Sequence, residues 1–215
     1  MMRRISRSTS VAVGTIAILT FSMISKGMGF FREMLVAGLF GTSANLDAVF
    51  VAMTPATTLS GIIAGAFAAI FVPVYHSIRN EDPERSKRYA GAVLISGSLV
   101  FLSMGIVFLV IPDLVIRLFA PGFSGEVVAY AARKLRYLSI YPLIGGLESI
   151  LGAVLKSNRR FIQFGFSQLF FNIIAIPVIF FTAPFLSEAS YILAWILGNT
   201  FTVIAYLVQS RDLFS

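Results

Sequence analysis

Long apolar tracts separated by short charged stretches run the whole length of the chain. Charged residues cluster at the N-terminus, at 79–88, at 113–136 and at 156–160, and the tracts between them have the length that crosses a bilayer. A hydrocarbon core of about 30 Å takes roughly 20 apolar residues as a helix. The pattern predicts six membrane-spanning helices over about 11–39, 45–75, 89–111, 130–155, 161–181 and 189–208. The turn Gly41-Thr42-Ser43 ends the first. Pro55, Gly61 and Gly65 fall inside the second, where a membrane helix tolerates them when neighbours re-satisfy the freed backbone groups. A charged loop from His76 to Arg85 leads to the third, which Pro112-Asp113 stops. The stretch 114–136 mixes apolar residues with Arg117, Glu126, Arg133, Lys134 and Arg136 and reads as an interfacial loop entering the fourth span. A short turn over Ala183–Glu188 joins the last two spans. The expected fold is all-α and polytopic, one six-helix lobe over 1–215.

Composition agrees with that reading and narrows the partners. Of 215 residues, 57% are hydrophobic and 13% charged, with a mean hydropathy of +0.87, whereas a soluble domain carries about 25% charge. An ordinary water-soluble globule is excluded. The net charge of +7 is no nucleic-acid footprint, because that requires a basic face on a soluble module and the basic residues here lie between apolar spans. They instead orient the chain. If the N-terminus is cytoplasmic, the inside segments hold Arg3, Arg4, Arg7, Arg79, Arg85, Lys87, Arg88, Lys156, Arg159, Arg160 and Arg211, as the bias of Lys and Arg in short loops requires. Six spans then place both termini inside. The opening MMRRISRSTS before VAVGTIAILTF has the look of a signal peptide, but no small-x-small cleavage site follows, so a retained first span is expected. There is no cysteine, hence no disulfide or thiolate metal site. No phosphate-cradling glycine loop, histidine cluster or nucleophile elbow is present, so neither catalysis, a cofactor nor a metal is expected.

Charges inside the spans carry the functional signal. An ionised side chain at mid-bilayer costs about 2.5–3.5 kcal/mol even on lenient insertion scales, so Lys26, Arg32, Glu33 and Asp47 need a reason to be there. Lys26 and Glu33, seven apart, share one helix face, and Arg32 projects about 120° from Lys26. One reading has these cations lining a wet cavity that holds an anionic substrate, with Glu33 or Asp47 orienting them. The other has them as a structural salt-bridge cluster, or Arg32 and Glu33 snorkelling to the interface. Glu148, beside Gly145-Gly146, is either a proton or cation site or a helix-packing hydrogen bond. Glu33, Asp47 and Glu148 are the carboxylates placed to bind a coupling ion. Gly61 to Gly65 reads as a small-residue helix contact, and His76 as a solvated loop residue.

These residues also carry a family resemblance. Ser25-Lys26-Gly27-Met28-Gly29-Phe30-Phe31-Arg32-Glu33, then Phe40-Gly41, Asp47-Ala48 and Phe50-Val51-Ala52, resembles the start of the MurJ/MviN family. Gly65-Ala66-Phe67, Phe71-Val72-Pro73, Ala120-Pro121-Gly122-Phe123, Tyr141-Pro142, Asn158-Arg159-Arg160-Phe161 and Asn172-Ile173 continue it in order over nearly the whole chain. The resemblance implies the multidrug/oligosaccharidyl-lipid/polysaccharide exporter fold, in which two six-helix lobes enclose a cavity and rock between inward-open and outward-open states. It implies flipping of lipid II or a related undecaprenyl-diphosphate-linked saccharide in the bacterial cytoplasmic membrane, among membrane lipids. Substrate contacts would fall to Lys26, usually Arg in the family, to Arg32 and to Asp47. Two departures are visible. Where the family has an Arg-containing segment and an acidic residue before its Gly-Ala-Phe, this chain reads Leu59-Ser60-Gly61-Ile62-Ile63-Ala64. The resemblance also covers one lobe, so a homodimer or a second six-helix lobe is the expected partner. A non-transporting scaffold or regulatory subunit of the same fold, and an exporter of another lipid-linked oligosaccharide, are the competing functional readings.

Overall fold

A computed structural model describes residues 2–41 and 43–214, with side chains from Val13 onward. The side chains of Arg3, Arg4 and Arg7, invoked for orientation, and Thr42 of the first turn lie outside the described residues. Eight α-helices account for nearly all of the rest: α1 (Met2–Phe40), α2 (Ala44–Glu81), α3 (Pro83–Val110), α4 (Pro112–Phe119), α5 (Gly125–Tyr137), α6 (Tyr141–Ser157), α7 (Phe161–Leu186) and α8 (Ala189–Ser210). Single 3-10 turns link α5 to α6 at Leu138–Ile140 and follow α8 at Arg211–Leu213. Counting α5–α6 as one crossing, six segments are long and apolar enough to span a membrane. The fold is all-α and polytopic.

Three predicted loops turn out to be helical. The charged run His76–Arg85 is not a loop, because α2 continues to Glu81 and α3 begins at Pro83. Charge ends a membrane span without ending its helix, and Glu84 and Lys87 even pair across one turn at 3.1 Å. The break is Asp82 alone. Proline disfavours a helical conformation in the residue before it, and Asp82, extended at φ −144° and ψ 103°, accepts bonds from the Glu84 and Arg85 amides at 3.0 Å each as the N-cap of α3. The predicted interfacial loop 114–136 is two amphipathic helices. In α5, Val128, Ala131, Ala132 and Leu135 are buried at helical spacing while Arg133, Lys134 and Arg136 take other faces. The mixture of apolar and charged residues was a 3.6-residue period. At the last predicted turn, α7 runs through Pro184 to Leu186, and the chain reverses at Ser187 and Glu188, with Ser187 at φ 47°.

Packing follows small residues. Ala48, Ala52, Ala56, Ser60 and Ala64 recur every fourth residue of α2 and are all buried, forming a smooth stripe on which neighbouring helices approach closely. α2 packs on α6, α3 and α5, and α6 continues to α8, α8 to α7 and α7 to α1. α1 and α2, neighbours in sequence, therefore stand at the two ends of a chain of contacts α1–α7–α8–α6–α2. α4 and α5 close one end of the bundle, where Arg136 meets Asp113 at 3.8 Å. Phe30, Phe31, Phe181 and Phe185 remain exposed, as expected where the surroundings are lipid.

Candidate functional site

Arg32 is the most enclosed charge among the described residues, 9% exposed. It leaves α1 and enters the seam between α7 and α8. Its Nη2 and Nε donate to Glu33 Oε1 at 2.6 and 3.1 Å, and its Nη1 to Asn172 Oδ1 at 3.1 Å. Asn172, on α7, donates in turn to the Ser25 carbonyl and hydroxyl of α1 at 3.0 and 3.2 Å. Tyr191, on α8, donates its hydroxyl to the same Glu33 oxygen at 3.1 Å. Three rings surround the guanidinium, with centroids at 4.8 Å for Phe171, 5.4 Å for Trp195 and 5.9 Å for Tyr191. Tyr191 and Trp195 are four apart on α8 and share a face. The group thus combines an ion pair, a side-chain amide and a cation–π cage, which suits a guanidinium's planar, delocalised charge. Each of its three nitrogens makes a bond to a neighbouring side chain, and the group ties α1 to α7 and α8.

The other predicted residues are dispersed. Lys26 is exposed on a flank of α1 and makes no ion pair among the described residues. Asp47 is exposed in the first turn of α2, where a carboxylate suits the helix N-terminus. The hydroxyl of Ser43 caps that helix by accepting from the Leu46 amide at 3.2 Å, and it donates to Glu188 at 3.3 Å. His76 is exposed but belongs to the last turns of α2.

Glu148 has a different setting. It lines a cavity of about 390 Å³ bounded by α2, α6, α7 and α8, together with Ser60, Gly61, Gly65, Lys156 and Gln168. Gly61 and Gly65 are not a helix contact as the small-residue pattern suggested, since a side chain built on either meets nothing within 4 Å. They widen the cavity. Ser60 is 4% exposed and its hydroxyl has no hydrogen-bond partner among the described residues. Lys156 lies over the Phe164 ring, 4.7 Å from its centroid. Neither Lys156 nor Glu148 has an ion-pair partner among the described residues.

Comparison with known proteins decides the lineage of this fold. The family model described as lipid II flippase MurJ matches residues 36–213. The chain belongs to the MurJ family. A probable lipid II flippase MurJ of Buchnera aphidicola subsp. Baizongia pistaciae is 30% identical over 200 residues, covering 88% of this chain and 38% of that protein. The lipid II flippase MurJ of Thermosipho africanus is 26% identical over 96% of the chain and 43% of its own length. A solved MurJ structure in an inward closed conformation superposes with a TM-score of 0.76 at 25% identity, over 92% of this chain and 42% of that one. The chain therefore spans less than half the length of these MurJ relatives. MurJ proteins are transporters rather than enzymes, which agrees with the absence of catalytic motifs in the sequence.

Several residues of the site escaped the sequence reading. Asn172 entered it only as part of a motif, although an amide within an apolar helix needs a partner. Lys156 was counted as one more basic residue of an inside segment. Tyr191 and Trp195 carried no signal beyond their four-residue spacing, because their partner Arg32 is remote in sequence.

Proposed function

We propose that the chain supplies one six-helix lobe of a flippase that moves lipid II, or a related undecaprenyl-diphosphate-linked saccharide, from the inner to the outer leaflet of the bacterial cytoplasmic membrane. A second six-helix lobe, or a second copy of this one, completes the transporter, since alternating access needs two bodies moving around one site. The observation that carries this reading is MurJ membership over 36–213 combined with a cavity among the spanning helices whose lining includes Ser60, Glu148, Lys156 and Gln168. A charged, hydroxylated headgroup crosses hydrocarbon only along such a lining, while its prenyl tail stays in lipid.

In this reading both termini are cytoplasmic. Arg79 donates to the Ser157 carbonyl at 3.4 Å and Arg160 pairs with Asp212, so the ends of α2, α6 and α8 and the start of α7 gather at one basic end. Lys26 is the exposed cation of α1 among the described side chains. Arg32 serves by holding α1, and reaches substrate only in a state where its cage opens. Glu33, Asp47 and Glu148 are the carboxylates available to an ion, and the membrane potential contributes about 2.3 kcal/mol per charge per 100 mV.

Reconstituted proteoliposomes loaded with a fluorescent lipid-linked diphosphate saccharide test this. Outward transfer in the two-lobe particle, lost in Lys26→Ala, is expected; transfer no faster than in protein-free vesicles overturns it. A scaffold role is the second reading, favoured by the cage that commits Arg32. It predicts a partner that flips equally well with this chain absent.

A further inference from the structure

An anionic headgroup needs a cation, and most of those in this lobe are otherwise placed. Arg32 is enclosed by Glu33, Asn172 and three rings. Lys26 does not line the cavity, and the stretch Leu59–Ala64 of α2, which does, holds no basic residue. The cation of the cavity is Lys156. It stands in the last turn of α6, its ammonium on the Phe164 ring face and free of any carboxylate among the described residues. Its end of the cavity is the basic end of the bundle, where Arg79 and Arg160 make their contacts. That is the depth of a leaflet's charged interface.

Two turns deeper on the same helix is Glu148. Eight residues of α-helix rise about 12 Å, so the two opposite charges are too far apart along the helix to neutralise each other. Between and around them are the unpartnered Ser60 hydroxyl, Gln168, and the rings of Tyr141, Phe164 and Tyr206. A bound proton or metal ion answers Glu148 alone and leaves Lys156 and Ser60 without a role. A ligand with an anionic junction at one end and hydroxyl or amide groups at the other answers all of them.

We propose that Lys156 is the anion-binding residue of this cavity, separate from Lys26 on α1, holding the diphosphate of the lipid-linked substrate at the interfacial end while Glu148, Gln168 and Ser60 face its saccharide. This rests on the flippase reading above and names the residues that select the headgroup. The phosphate oxygens accept from the ammonium. Glu148 accepts from saccharide hydroxyl or amide groups and repels a misplaced phosphate, so it fixes which end enters.

The test is binding to the intact protein in nanodiscs, using three fluorescent short-chain probes: a prenyl-diphosphate-linked amino sugar, the prenyl diphosphate without sugar, and the prenyl alcohol. The wild type is expected to bind the first two over the alcohol, with affinity falling as salt rises. Lys156→Gln is expected to weaken both diphosphates about tenfold without a change in melting temperature, and Lys156→Arg to restore most of the loss. Glu148→Gln is expected to weaken the sugar-linked probe and leave the bare diphosphate unaffected. Lys156→Gln binding as the wild type does, while the wild type still prefers diphosphates, overturns the assignment of Lys156 and leaves the flippase reading standing. A wild type that treats diphosphates and alcohol alike overturns that reading, and this assignment with it.

Discussion

Arg32 shows how a charge is accommodated among packed helices. Its two bonds to Glu33, one to Asn172 and three ring faces replace the hydration it would have in water. Hydrogen bonds to charged groups contribute about 1.5–3 kcal/mol when buried. Glu33 is 46% exposed at its side chain, so solvent screening trims that figure. Arg32→Ala is therefore expected to destabilise the lobe by about 2 kcal/mol, read as a lower melting temperature by circular dichroism in detergent. Arg32→Lys should recover only part of this, because an ammonium cannot serve Glu33 and Asn172 with a planar fork. Asn172→Leu removes the link to Ser25 and should cost about 1 kcal/mol, the scale of an interhelical hydrogen bond in a membrane. Equal stability of all three variants would mean that the cage does not hold α1. The charge pattern exposed Arg32 and Glu33 as residues in need of an explanation and offered their pairing as one reading, which the fold shows at 2.6 Å, while the reach to Asn172 and the three rings was not visible. Arg32 reaches sideways to Glu33 and across to α7, and neither contact has a local periodicity.

At the scale of elements, the six apolar tracts were legible because burial in lipid demands a continuous run, and a run is visible in one dimension. Helix ends were less so. His76–Glu81 reads as loop by polarity, yet polarity there marks the edge of hydrocarbon while the backbone stays helical until Asp82-Pro83. Similarly, 114–136 was read by composition where its amphipathic period was the better guide. Contacts between helices were not legible at all. Gly198 of α8 is an example: a Cβ there would lie 2.8 Å from the Phe171 carbonyl oxygen and 2.7 Å from its ring, so α7 and α8 close only because that atom is missing. Gly198→Ala should force the pair apart and cost about 1–3 kcal/mol. It should also loosen the Arg32 cage, since Phe171 is one of its walls. Asp82→Ala removes both amide bonds that start α3 and is expected to cost about 1 kcal/mol, with faster hydrogen exchange confined to the first turn of α3. Exchange spread evenly along α2 and α3 would contradict the cap.

For the whole molecule, the cavity is bounded by α2, α6, α7 and α8, with no described residue of α1 in its lining, and in the two-lobe scheme proposed above a second lobe stands against it. The expected particle is two-lobed, and its mass after subtraction of detergent or lipid should be about twice 23.4 kDa if the second lobe is another copy. A larger hetero-assembly would identify a partner chain, and a lone 23.4 kDa particle that still flips lipid would contradict the two-lobe scheme. Because the chain has no cysteine, topology is open to single-cysteine labelling with a membrane-impermeant reagent. Arg85→Cys should react only from the cytoplasmic side and Glu126→Cys only from the outer side, and the reverse would invert the orientation. The same count applied to another residue has a further use. The chain holds one tryptophan, and Trp195 is a wall of the cage that pins α1. Its emission is therefore an intrinsic optical gauge of that latch: a red shift during turnover would time the release of the first helix, with no dye attached.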